Sequence, residues 1–306
     1  MNISLAIILG LTGALSWGAA DFAARFASRQ VGAYRTLFFM QFFGFLALSV
    51  YLKFTGGFSH GIASGWQPWA MAVAAGLLNV LASLALYHSF EHGTLIIVGP
   101  VSSSYPALTV ALSFLSGERI HAVRATGLAV TLLGVMLAAT SFAQPKGTQT
   151  EKHPEHPSAT HAEQSRAHLS TGVGWAICAA LGFGVLFWFL GFHVVPAVGS
   201  AMSVWVMRLT ALVSLALASA PTHQTLKLPR GKVWWLLLAV GILDTAAFVL
   251  NNAGLSTGQV SVVSVLASLY GAFTVLLAWI VLRERLERSQ WLGIILIFIG
   301  IVLVSI

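Results

Sequence analysis

The chain carries one long stretch twice. Ser103, Tyr105, Thr109 and Leu112 recur 165 residues later as Ser268, Tyr270, Thr274 and Leu277. After a one-residue slip, Glu118, Arg119, Gly127 and Gly134 recur as Glu284, Arg285, Gly293 and Gly300. Each copy reads as an apolar segment, a short Glu-Arg turn, and a second apolar segment with glycines seven apart. Earlier positions keep an offset of 165 or 166 residues. Trp69, Gly76 and Gly93 match Trp234, Gly241 and Gly258, and Leu15 and Gly18 match Leu181 and Gly184. A repeat of this length constrains the fold before any local reading, since equivalent copies adopt equivalent structures.

Composition decides the solvent. Of 306 residues, 57% are hydrophobic and only 8% charged, against about 25% charged in an average soluble domain. So few charges cannot clothe a water-facing surface. Apolar runs of about 17–25 residues cross a hydrocarbon core, and ten candidates occur: 3–23, 35–54, 67–87, 94–115, 123–142, 172–192, 198–220, 233–254, 258–282 and 289–306. They are expected to be helices, because lipid cannot satisfy free backbone groups. A barrel needs segments of about ten alternating residues, and these runs are apolar at nearly every position. The fold class is therefore an all-α integral membrane protein of ten transmembrane helices, arranged as two inverted five-helix repeats. The repeats cover 1–142 and 172–306. Five is odd, so the second copy enters the membrane from the opposite face. Secondary transporters are commonly built so, with the substrate site at the repeat interface.

Residues 143–171 are polar, with Pro145, Pro154 and Pro157, and read as a disordered cytoplasmic linker. His153, His156, His161 and His168 there are irregularly spaced and lack a cysteine partner, which argues against a metal site. The single Cys178 lies in an apolar run, so no disulfide framework is expected. The first basic residue is Arg25, so residues 1–24 read as a retained span rather than a cleaved signal. The net charge of +7 comes from residues in short loops with no basic face, so nucleic acid is not an expected partner. With both termini on one side, that side holds Lys53, Arg119 and Arg124, and the other holds 12 of the 16 Lys and Arg. The positive-inside rule then puts both termini outside and the linker in the cytoplasm.

The chain resembles the drug/metabolite transporter superfamily, EamA-type branch. The resemblance rests on the two five-span repeats, Leu-Ser-Trp-Gly at 15–18, Gly-Glu-Arg at 117–119 with Arg-Glu-Arg at 283–285, and Met-Arg-Leu at 207–209. The first copy departs from it, with Gln41 where an arginine is usual. The resemblance implies a carrier, often an exporter, of small molecules in a bacterial inner membrane.

A carrier needs polar groups at membrane depth, where each charge costs about 2.5–3.5 kcal/mol on insertion scales. Few are present. Asp244 lies mid-way in span 8, with Asn251 on the same helical face and Asn79 as its repeat-mate in span 3. It suits a substrate amine or a proton, or a permanent ion pair with Arg208 at the centre of span 7. Arg208 in turn suits a substrate carboxylate. Tyr105 and Tyr270 are repeat-mates beside Ser103 and Ser268, in helices interrupted by Pro100, Pro106 and Gly271. Interrupted helices at matching places point to a carrier's site. Trp17 lies deep in span 1, where it can stack on a solute or pack. Gln41 reads as packing, and Asp21 with Arg25 as an interfacial pair. Glu118 and Glu284 read as anchors or gate pairs.

No phosphate loop, zinc motif or nucleophile elbow is present, so an enzyme is not expected. The expectation is a secondary active transporter, in the export direction on the family resemblance, for small organic metabolites such as amino acids or drugs. It works by alternating access with a possible role for protons, needs no cofactor, and sits in the bilayer as a monomer or homodimer. The alternatives are a nucleotide-sugar or phosphorylated-metabolite exchanger, which needs more cavity Lys or Arg, and a membrane-embedded lipid enzyme or non-transporting scaffold.

Overall fold

A backbone in lipid has only itself to bond, and helices meet that demand. The computed structural model describes residues 3–58, 65–92, 101–139, 159–227, 229–282 and 288–305, and among them there is no strand. The helices of eight residues or more are α1 (Ile3–Val31), α2 (Ala33–Phe54), α3 (Gln67–His92), α4 (Tyr105–Leu115), α5 (Ala122–Ala139), α6 (Ala159–Phe189), α7 (Ser200–Ser219), α8 (Val233–Leu255), α9 (Val260–Ala267), α10 (Tyr270–Leu282) and α11 (Arg288–Ser305). Six segments, in α1, α2, α3, α6, α7 and α8, are long and apolar enough to cross a membrane. The other four expected spans coincide with shorter apolar helices, Val101–Leu115, Ala122–Gly134, Val260–Phe273 and Trp291–Leu303. The molecule is an integral membrane helix bundle.

The polar stretch 143–171, read above as a linker without structure, is not uniform. α6 begins at Ala159, so residues 159–171 are helical. Past Pro157 the chain has three alanines and no Pro or Gly until Gly172, so no strong helix breaker interrupts it. Residues 140–158, with Pro145, Pro154, Pro157, His153 and His156, lie outside the described residues, as do Glu284 and Arg285.

The packing is unchanged when the two copies are exchanged. α1 lies on α8, and its repeat-mate α6 lies on α3. α2 lies on α8 and α7 on α3; α1 lies on α9 and α10, and α6 on α4. The mates α2 and α7 face each other, as do α5 and α11. Backbone details repeat as well. Gly32 joins α1 to α2 at φ 86, and Gly199 precedes α7 at φ 89, a region that only glycine enters freely. The helical turn at 101–103 breaks at Ser104, just before Tyr105, and α9 breaks at Ser268 and Leu269, just before Tyr270. Glycines set the closest crossings. A Cβ on Gly241 would stand 2.8 Å from the Met40 carbonyl of α2, and one on Gly300 would stand 2.8 Å from the Gly127 carbonyl of α5.

The Gly-Glu-Arg turn has a contact in the other half. Ser261, in the first turn of α9, donates its backbone N–H to the Glu118 carboxylate at 3.1 and 3.2 Å and its hydroxyl at 2.9 Å. A carboxylate at a helix start satisfies orphan amides and meets the positive end of the helix dipole. Burial nevertheless raises the Glu118 pKa, with the Ser261 bonds opposing the shift. A raised folded-state pKa means that this group's stabilisation is fully present below its ordinary pKa and is lost as pH rises through the shifted value. Thermal melts of Glu118→Gln and wild type should therefore converge or cross as pH rises, with wild type losing ground. A difference that is flat with pH contradicts this account of the contact.

Candidate functional site

Every helix that lines the main cavity contributes one face of an otherwise apolar rod. The cavity holds about 700 Å³ of atom-free space, part of it open solvent. Its polar lining is Asp21, Gln41, Asn79, Ser83, Arg208 and Asp244, with the Tyr105 and Tyr270 side chains. Its apolar walls include Trp17, Phe183, Phe187 and Phe248. Both copies contribute, through α1 to α4 on one side and α6, α7, α8 and α10 on the other.

Arg208 is its centre of charge. The residue is 2% exposed, so its positive charge has to be met from within. Nη2 donates to Asp244 Oδ2 at 2.5 Å and Nη1 to Gln41 Oε1 at 2.5 Å. The guanidinium also lies 5.0 Å from the Phe248 ring centroid, a cation–π distance. The second Asp244 oxygen, Oδ1, accepts the Trp17 indole N–H at 3.0 Å. Four helices thus converge on one ion pair: α1 brings Trp17, α2 Gln41, α7 Arg208 and α8 Asp244. Trp17 is further fixed by edge contacts to Phe248 at 5.0 Å, Phe187 at 5.8 Å and Tyr270 at 6.5 Å.

The tyrosines occupy the helix breaks. Tyr105 is 3% exposed and donates to the Ser264 carbonyl at 3.4 Å, with its ring 5.1 Å from Phe187. Thr109, one turn on, donates to the Gly184 carbonyl of α6 at 3.0 Å. Asn79 also lines the cavity, and its Oδ1 has no hydrogen-bond partner among the described residues.

Of the residues singled out from sequence, Asp244, Arg208, Asn79, Tyr105, Tyr270 and Trp17 share this cavity. Asn251, Ser103 and Ser268 are buried but are not among the lining residues. Ser268 turns its hydroxyl onto the Val265 carbonyl at 2.7 Å, within its own helix. Asn251 stands where α8 meets Gly13 of α1. Two readings change. Gln41 is a direct partner of Arg208 rather than packing alone. Asp21 lines the cavity one turn beyond Trp17 and is near enough to Asp244 for the two charges to interact. The side chain of Arg25, its expected partner, lies outside the described residues. Sequence inspection passed over Phe187 and Phe248, because nothing in an all-apolar helix marks which phenylalanine faces inward.

The cavity lies toward one end of the bundle. From Trp17 and Asp244 its lining runs to Asp21 of α1, Leu86 of α3 and Val240 of α8. A second hollow, lined by Tyr34, Arg35, Leu84, His88 and Gln224 among others, lies further in that direction. Beyond Asp244 the other way, Asn251, Asn252 and Leu255 are buried, and Asn252 donates to Ser203 of α7 at 3.1 Å.

Comparison with known proteins bears on this architecture. The model of the EamA-like transporter family matches twice, over residues 4–140 and 170–306. An uncharacterised protein of Methanocaldococcus jannaschii is 30% identical over 137 residues, which is 44% of this chain and 97% of that protein. A solved protein structure superposes with a TM-score of 0.72 at 19% identity, covering 98% of this chain and 95% of its own, and so shares the fold.

Removing one member of a buried ion pair leaves an uncompensated charge and costs roughly 3–5 kcal/mol. Arg208→Gln and Asp244→Asn should each lower the melting temperature sharply, and the double variant should lose less than the two losses added. A double variant that loses the full sum shows that the pair is not coupled.

Proposed function

We propose that this chain, which belongs to the EamA-like transporter family, is a secondary active transporter that exports small organic metabolites by alternating access. Ten helices thread the bilayer as two oppositely directed halves, and the cavity between them is the transport site. The chain works in a bacterial inner membrane with both termini outside, as a monomer or homodimer. The observation that carries the reading is the buried Asp244–Arg208 pair, placed in a cavity lined by both copies and held by Gln41 and Trp17. A charge pair at membrane depth is costly to keep and marks pathways more often than packing.

In the orientation set by the Lys and Arg bias, the hollow end faces the cytoplasm and the sealed Glu118–Ser261 end faces outward. Substrate enters from the cytoplasm and competes for the partners that Asp244 and Arg208 hold in the empty site. Loosening the pair frees the four helices that converge on it, and the halves rock so that the outer end opens. Tyr105, Tyr270 and Asn79 contact the solute, while Asn251, Ser103 and Ser268 support the helix breaks and crossings behind it. A proton exchanging at an acidic cavity side chain, or a counter-solute, supplies the driving force. A phosphorylated solute would want several cations, and the one among the described lining residues, Arg208, is already paired with Asp244.

Flux in sealed proteoliposomes tests this. Wild type should give saturable, gradient-driven uptake of at least one amino acid or amine, and Asp244→Asn and Arg208→Gln should each abolish most of it. Undiminished flux in both variants removes the pair from the mechanism, and no flux for any solute points to a scaffold.

A further inference from the structure

The charges lining the cavity do not balance. Among the described lining residues, Asp21 and Asp244 bring two carboxylates and Arg208 one guanidinium. Arg208 spends one terminal nitrogen on Asp244 and the other on Gln41, so it offers little to an anion. Asp244 is likewise engaged at both oxygens, by Arg208 and Trp17. Asp21 differs. It is exposed although α1 packs against α8 and α10, and it faces the cavity on the same side of α1 as Trp17, four residues back.

The walls agree in sign. Trp17, Tyr105, Phe183, Phe187, Phe248 and Tyr270 surround the space with aromatic rings, whose faces carry negative potential and attract cations. Arg208 over Phe248 already uses one such face. A ring-lined space with a surplus carboxylate favours an organic cation with an apolar body and disfavours an organic anion of the same shape.

Building on the transport reading, we propose that the cavity's ligand class is organic cations, with Asp21 as the carboxylate that contacts the ligand's charge. Asp244 is the positioning partner that keeps Arg208 from repelling it. Asp21 is then a specificity-determining residue: it sets the sign of the charge that is accepted.

Benzyltrimethylammonium and benzylsulfonate share one ring and carry opposite permanent charges, so neither titrates. Calorimetric titration of the purified protein should show saturable binding of the cation and none of the anion. Asp21→Asn should weaken the cation about tenfold, the loss of one charge contact, and Asp21→Glu should restore most of it. Melting curves establish that each variant is folded, and the Glu variant serves if the Asn variant is not. Equal binding of both probes, no binding of the cation, or unchanged affinity in Asp21→Asn overturns the proposal. Saturable flux of an anion or zwitterion alongside such a result leaves transport standing and removes only the ligand class. Asp21-dependent cation binding without flux of any solute does the reverse.

Discussion

An arginine at 2% exposure in a chain with 8% charged residues is the constraint from which the rest of this molecule follows. A guanidinium in that position survives only if partners meet most of its charge. Asp244 and Gln41 take its two terminal nitrogens and Phe248 lies against it, Nε alone having no hydrogen bond among the described residues, and Trp17 occupies the remaining Asp244 oxygen. With Arg208 itself on α7, these groups come from four helices of both copies. The requirement to neutralise one charge is thereby also a requirement that the two halves meet in one register.

Glycine makes the meeting close enough. Gly44 and Gly241 let α2 and α8 cross with almost no side chain between them, beside Gln41 and Asp244. Gly134 and Gly300 do the same for α5 and α11 at the periphery. Without a hydrophobic force between helices in lipid, such contacts and inter-helix hydrogen bonds hold the bundle. Trp205 to Ser49 at 2.7 Å joins the two mate helices α7 and α2. Glu118 on Ser261 joins the halves again at the sealed end, so one end of the bundle is pinned while the other is hollow.

Much of this was legible in the residues, and the parts that were not share a cause. The duplication, the helices and the possibility of an Asp244–Arg208 pair follow from offsets, run lengths and the rarity of charge. Inward-facing positions do not, because a helix that is apolar all round has no periodic signal to orient it. Hence Phe187 and Phe248 went unmarked, and Ser103, Ser268 and Asn251, chosen for polarity, stand behind the cavity wall. Asp21 sits four residues from Arg25, and that spacing suggested a surface pair; only the packing of α1 on α8 and α10 places it in the cavity. Gln41 looked inert because its partner is 167 residues away. The helical start at Ala159 was hidden by the polar composition around it.

The central claim is that the two copies cross the membrane in opposite senses and meet at the buried pair. It is tested most directly at the repeat-mates Arg119 and Arg285. In a background without Cys178, each is replaced by cysteine and exposed to a membrane-impermeant maleimide in intact cells and in inverted vesicles. The account predicts that Arg119→Cys is labelled in cells and Arg285→Cys in inverted vesicles. Labelling of both from the same side contradicts it.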